Sequence, residues 1–162
     1  MASSSTSSSP TSPFPPQLTA AAEEVARLLC SRHETISVVE TAAGGLVSAS
    51  LLATPGASRF YKGGLTLYTL ESRVALAGWT QADIDAYDGP TPKLVEGPAV
   101  AYHTLVAYVD SKERGYVALA VVGENGALSK DLDTGLGGDR QANMVAFAVA
   151  ALGLVKEYML QQ

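Results

Sequence analysis

The sequence predicts an α/β domain with helices on both faces of a sheet. Segments of helical spacing alternate with short apolar segments in the order helix, strand, helix, strand, helices, strand, strand, helix. The apolar run Thr35 to Val39 passes through a Gly-bearing turn straight into a second helix, the front half of a βαβ unit. Tyr116 to Val122 (YVALAVV) is apolar on both faces, as a central strand requires.

Each element has its own signal. Met1 to Pro16 (MASSSTSSSPTSPFPP) has one large apolar group, Phe14, and cannot offset its ordering entropy, so residues 1–16 are predicted to be a disordered tail and 17–162 the domain. Leu18, Ala21, Ala22, Val25, Leu28 and Leu29 recur at helical spacing, with Thr19 as a candidate cap. Thr35 to Val39 is β-branched and reads as a strand. Leu46 to Ala53 is a helix stopped by Thr54-Pro55-Gly56, Gly64 to Thr69 a strand, and Leu70 to Ala77 a short helix ended by Gly78. Thr80 and Asp83 form a capping box for another short helix. Asp88 to Pro92 is a loop, and Lys93 to Val109 a helix kinked at Gly97-Pro98. Gly123 to Gly126 is a hairpin turn, Leu128 to Thr134 its second strand, and Asp139 opens a final helix striped by Met144, Phe147, Ala148, Ala151, Leu152, Val155 and Met159.

Composition narrows the function classes. With 47% hydrophobic and 17% charged residues in 162, the chain as a whole is not disordered. Its 11 basic and 16 acidic side chains give a net charge of -5 with no basic stripe, which argues against a nucleic-acid partner. The apolar runs are short and broken by Gly, so no membrane-spanning helix and no membrane partner are expected. The start has no secretory-signal pattern, and the lone Cys30 suits a reducing compartment, so the expected location is cytoplasmic. His33 and His103 have no ligands at metal spacing, and no metal is expected.

Three segments carry chemistry. In Glu40-Thr41-Ala42-Ala43-Gly44-Gly45 a hydroxyl stands at a Gly-bearing helix start, where backbone N–H groups and the helix dipole favour an anion; the plainer reading is a capped, closely packed βα turn. In Tyr61 to Arg73 a second Gly pair enters a strand whose exit gathers Tyr68, Thr69, Glu71 and Arg73; the plainer reading is a solvated loop with a Glu71/Arg73 surface pair. Arg73 stays protonated and cannot act as a base, though it could bind phosphate. In Gly137-Gly138-Asp139-Arg140, Asp139 is a helix cap and Arg140 a candidate anion ligand or a surface charge.

Together, Glu40-Thr41-Ala42-Ala43-Gly44-Gly45-Leu46, Pro55-Gly56-Ala57-Ser58, Lys62-Gly63-Gly64-Leu65-Thr66-Leu67-Tyr68 and Gly138-Asp139-Arg140 resemble the CinA carboxy-terminal family. These are competence/damage-inducible proteins whose bacterial members include nicotinamide mononucleotide deamidases. The resemblance spans about Leu18 to Tyr158. It implies a three-layer α/β/α sandwich with a mostly parallel sheet, a small nucleotide-like substrate, and amide hydrolysis to the acid plus ammonia without a cofactor. Family members commonly assemble, so a homo-oligomer is an expectation too; the apolar stripe of the last helix suits either a core or an interface.

The family's enzymes resemble serine amidohydrolases with a lysine base, in the motifs Glu-Ser-x-Thr-Gly-Gly and Tyr-Ser-Asn-Glu-Ala-Lys. Matched residue by residue, Thr41 stands at the nucleophile, Ala43 at the following threonine, Tyr68 at the tyrosine and Arg73 at the lysine. The resemblance thus implies Thr41 as nucleophile and Ala43, Gly44 and Gly45 as the oxyanion or phosphate cradle. Tyr68 would position groups in the pocket, with Arg73 and Arg140 as phosphate ligands. Arg73 cannot take the nucleophile's proton, which leaves Lys62 as a candidate substitute base. The family's Gly-x-Ala-Gly-Pro loop also has no match: Lys93 to Arg114 leads directly into Gly115-Tyr116, so the sheet could lack one central strand together with that loop. A weak amidohydrolase, a non-catalytic nucleotide-binding module and an interaction-only fragment all stay open at this point.

Overall fold

The computed structural model describes residues 12–89, 105–111 and 114–162. Helix α1 spans Pro16–Arg32, with Pro15 as N-cap and Pro16 at its first turn, where a missing N–H leaves nothing unsatisfied. Phe14 packs against the core, and Thr19 lies inside the helix rather than capping it. Leu18, Ala22, Val25, Ala26 and Leu29 are buried at the predicted spacing, each large side chain contributing about 1.5–3 kcal/mol.

Strand β1 (Ile36–Glu40) leads into α2 (Leu46–Ala53), and β2 (Tyr61–Thr66) follows a short 3-10 turn. β2 lies about three residues earlier than the sequence suggests, because Leu67 to Thr69 turn away to cap the next helix. Helix α3 (Leu70–Ala77) is capped by Thr69, and α4 (Gln81–Asp85) carries the expected Thr80–Asp83 capping box. Then come β3 (Leu105–Asp110), β4 (Tyr116–Gly123), β5 (Gly126–Asp133) and α5 (Arg140–Leu160).

Among the described residues these strands form one five-stranded sheet in the order β2-β1-β3-β4-β5. β1 pairs parallel with β2 and β3, while β3–β4 and β4–β5 are antiparallel, so only β4 opposes the others. The sheet is mixed, with helices flanking it, in the expected α/β class. Ile36, Val38, Val109, Val117, Leu119 and Val121 face α1, α2 and α5 in the main core. Ala118 and Ala120 are buried on the opposite face, beside Val39 and Tyr116.

Two expectations are corrected here. The central strand is present: Leu105–Asp110 is β3, hydrogen-bonded between β1 and β4, where a kinked helix was predicted. The segment LVAYV reads as well by strand alternation as by helical period, and pairing to two neighbours decides it. The rest of the predicted helix, with His103, lies outside the described residues. Secondly, α5 is long and apolar enough to cross a membrane by length and composition, contrary to the sequence reading. Here Phe147, Ala148, Ala151, Leu152, Leu154 and Val155 are buried against α1, α2 and the sheet, which accounts for that apolarity.

Candidate active site

Register places the site. Glu40 is level with Thr66 on one side and Val109 on the other, so β1, β2 and β3 end at one edge, where ligands gather in open α/β sheets. Thr41 continues β1 by one residue, its N–H donating to Val109 O at 2.9 Å, which sets it beside Asp110.

The start of α2 is filled from within. Glu40 is fully buried, and its carboxylate accepts from Gly45 N (3.0 Å), Val47 N (3.2 Å), Ser48 N (2.9 Å) and Ser48 Oγ (2.7 Å). A buried carboxylate at the positive end of a helix dipole is well placed, and it takes up the Gly45 amide that the sequence reading assigned to a ligand. Gly45 is therefore not a phosphate cradle, and the Ala43 side chain is buried. The amides of Ala42, Ala43 and Gly44 make no hydrogen bond among the described residues, and of the three only Ala42 lines the cleft.

Gly44 is held at φ +66°, and a β-carbon there would collide with Met144 Cε of α5. Gly44→Ala is expected to destabilise the fold by about 1–2 kcal/mol, chiefly from left-handed backbone strain, because Met144 Cε is the end of a flexible side chain and can move aside. Urea unfolding checks this: a loss well beyond that range would mean that the Met144 contact does not yield.

Asp110 is the hub of the site. Its side chain is 1% exposed. Oδ1 accepts from Thr41 Oγ1 (2.6 Å), Arg73 Nη2 (3.0 Å) and Ser111 N (2.8 Å). Oδ2 accepts from Tyr87 Oη (3.1 Å) and pairs with Arg73 Nη1 at 2.9 Å. The Thr41 hydroxyl also lies 3.0 Å from Val109 O, but it has one proton, and the shorter contact to the charged oxygen is the stronger. Behind the pair, the Arg73 guanidinium sits 5.0 Å from the ring centroids of both Trp79 and Tyr87.

Burial, with the charge of Asp110 beside it, pushes the Tyr87 hydroxyl above its usual value near 10. A raised value in the folded state means stability that is complete below the unfolded pKa and lost as pH climbs through the folded one. Tyr87 should thus remain a donor to Asp110 through neutral pH, with its phenolate absorbance appearing at higher pH than that of a free tyrosine and the fold loosening as it does.

Above this floor lies a cleft of about 470 Å³, lined among others by Thr41, Tyr68, Asp110, Arg114, Arg140 and Asn143. Tyr68 is 70% exposed at the rim, with the Arg140 guanidinium 5.6 Å from its ring centroid. Asp139 caps α5 by accepting from Ala142 N at 3.0 Å, which orients Arg140 towards the opening. Asn143 Nδ2 donates to Gly137 O at 2.9 Å and holds the Gly137-Gly138 wall in place.

The structure brings Thr41, Tyr68, Arg73 and Arg140 to the lining of one cleft. Two roles change. Arg73 is neither a surface partner of Glu71 nor a phosphate ligand: its charge is engaged by Asp110 under two aromatic rings. Glu71 instead stands in the first turn of α3, its carboxyl held low by its own backbone N–H and by Thr69. Lys62 does not line the cleft. It lies near the opposite end of β2, level with Ile36 and Ser37, about 15 Å of strand away from Thr41, so it is not the substitute base. Sequence reasoning missed Asp110, Arg114, Trp79, Tyr87 and Asn143. Asp110 had a usable signal, because an acid closing an apolar strand falls at the ligand edge.

Fold and cleft define an α/β domain with a buried hydroxyl–carboxylate–guanidinium floor and cationic side chains at its mouth. A family model described as CinA C-terminal domain matches residues 18–104, and the chain belongs to that family. A putative competence-damage inducible protein of Symbiobacterium thermophilum is 29% identical over 160 residues, covering 85% of this chain and 38% of that protein. A CinA-like protein of Dictyoglomus thermophilum is 36% identical over 81 residues, covering 48% of this chain and 20% of that protein. The chain spans about a quarter of the length of the first relatives it matches (24%). Among solved structures, the competence/damage inducible protein CihA of Agrobacterium tumefaciens superposes with a TM-score of 0.80 at 20% identity, covering 93% of this chain and 99% of that one. A CinA superfamily protein of Klebsiella pneumoniae gives 0.78 at 15% identity, covering 90% and 99%. At these identities the likeness establishes the fold.

Proposed function

We propose that the cleft binds a phosphate-bearing carboxamide of the nicotinamide mononucleotide type and hydrolyses it slowly to the acid and ammonia, with Thr41 as nucleophile. The observation that supports this reading is the meeting of Thr41, Tyr68, Arg114 and Arg140 around one cavity large enough for a mononucleotide. Arg114 and Arg140 supply guanidinium donors for a phosphate, Tyr68 a ring face for the planar base, and the Ala42 amide a donor for the developing oxyanion. Turnover is slow because no amine stands at hydrogen-bond distance from Thr41 among the described residues, and the hydroxyl's charged neighbour is a carboxylate already paired with Arg73.

Ammonia release from nicotinamide mononucleotide tests this, with Thr41→Ala as control: a slow rate in the parent chain and none in the variant are expected, and equal rates would refute it. Arg140→Ala should raise the apparent KM about tenfold, more at low salt than at high, because an exposed guanidinium–phosphate contact is screened by ions.

A second reading, binding without turnover, is favoured by the Arg73–Asp110 clamp, which holds the carboxylate next to Thr41 in a buried ion pair. It predicts that nicotinamide mononucleotide raises the melting temperature while no ammonia appears.

A further inference from the structure

We propose that Asp110 is the proton acceptor for Thr41, and that Arg73 positions Asp110 rather than touching the substrate. The proposal rests on the hydrolytic reading above. Its observations are the 2.6 Å contact from Thr41 Oγ1 to Asp110 Oδ1 and the two-pronged pairing of Arg73 with the same carboxylate. No other charged group of the described residues is within hydrogen-bond reach of that hydroxyl.

The geometry is that of a nucleophile, a base and an orienting third group, with a carboxylate in the middle place. Arg73 rests against the edge-on pair of Trp79 and Tyr87, Tyr87 donates to Oδ2, and the Ser111 amide donates to Oδ1. The carboxylate plane is therefore fixed, with Oδ1 aimed at Oγ1. A rigid acceptor at short range is what general-base action requires first, before basicity.

The steps balance. Oγ1 attacks the carboxamide carbon while its proton passes to Asp110 Oδ1, and the carbonyl electron pair moves onto oxygen. Collapse of this intermediate breaks the C–N bond, and Asp110 returns the proton to the departing nitrogen, which leaves as ammonia. The acyl ester on Thr41 is then attacked by water. Asp110 takes the water's proton and hands it to Oγ1 as the ester bond breaks and the acid is released. The acceptor keeps the proton only briefly, because each protonation weakens the pair with Arg73. This makes the reaction possible and also keeps it slow.

The test uses the full chain and the paired variant Arg73→Met/Asp110→Asn, which removes both charges at once. Its melt shows whether it folds, and the melting shift given by nicotinamide mononucleotide shows whether the cleft still binds. The expected result is a cooperative melt, a retained shift, a KM within about twofold of the parent, and a kcat lowered about a hundredfold or more, to the Thr41→Ala level. A paired variant that binds and keeps half of the Thr41-dependent rate would overturn the role of Asp110 and leave the hydrolytic reading standing. A parent chain that releases no more ammonia than Thr41→Ala would overturn both. Should the paired variant fail to fold, Asp110→Glu decides. It keeps the carboxylate and moves it by one methylene, so kcat should fall with KM unchanged, and an unaltered kcat would contradict the proposal.

Discussion

Glu40→Ala lowers the stability of the domain by about 3–5 kcal/mol. Its carboxylate is the acceptor for three amides and one hydroxyl at the start of α2. Each donor left without a partner in a buried setting costs about 1–3 kcal/mol, and water entering the space recovers part of that. For a domain of this size the loss corresponds to a fall of roughly 10–15 °C in melting temperature, a large share of the roughly 5–15 kcal/mol typical of folded proteins. Glu40→Gln keeps the shape and one carbonyl acceptor but turns an NH₂ towards N–H groups, so about half that loss is expected. Thermal and urea unfolding of the two variants, compared at constant pH, give the order.

Breaking the Arg73–Asp110 pair from one side has an effect of similar size, by a different route. Arg73→Met leaves the Asp110 charge buried without its counter-ion, and Asp110→Asn does the same to Arg73. Each single change is expected to destabilise by about 3–5 kcal/mol. The paired variant should be less destabilised than the two singles summed, by about 1–3 kcal/mol, because the second change removes the charge that the first one stranded. A methionine side chain at position 73 still packs against the rings of Trp79 and Tyr87, and an asparagine carbonyl at position 110 still accepts from Thr41 and Ser111. Urea unfolding of all four forms closes the cycle. Strict additivity would mean that the pair contributes only as two independent side chains.

Much of the scaffold was legible because local chemistry and tertiary packing agree there. Asp139 caps the last helix, Thr80 and Asp83 form their box, and the stripe Phe147, Ala148, Ala151, Leu152, Val155 is the buried face. The central strand was not legible. Leu105 to Asp110 carries apolar residues that suit either period, and it becomes a strand because β1 and β4 supply partners on both sides, which is long-range information. Within the site, Thr41, Tyr68 and Arg140 were readable from the motifs and lie together. Arg73 was readable as a position but not as a role. Nothing near it in sequence reveals that Asp110, 37 residues on, takes up its charge. Glu40 shows the same limit: a helix start that looks open to an anion in sequence already holds one from the strand beside it.

The most direct test of where the ligand sits is a titration of the labelled protein with nicotinamide mononucleotide, followed by amide chemical shifts. Binding in the cleft should move the resonances of Ala42, Gly115, Gly138 and Asn143 together, saturating at one dissociation constant, and leave the second cavity near Asn125, Leu128 and Gln161 unmoved. Shifts confined to that second cavity, or none at saturating ligand, would contradict the account.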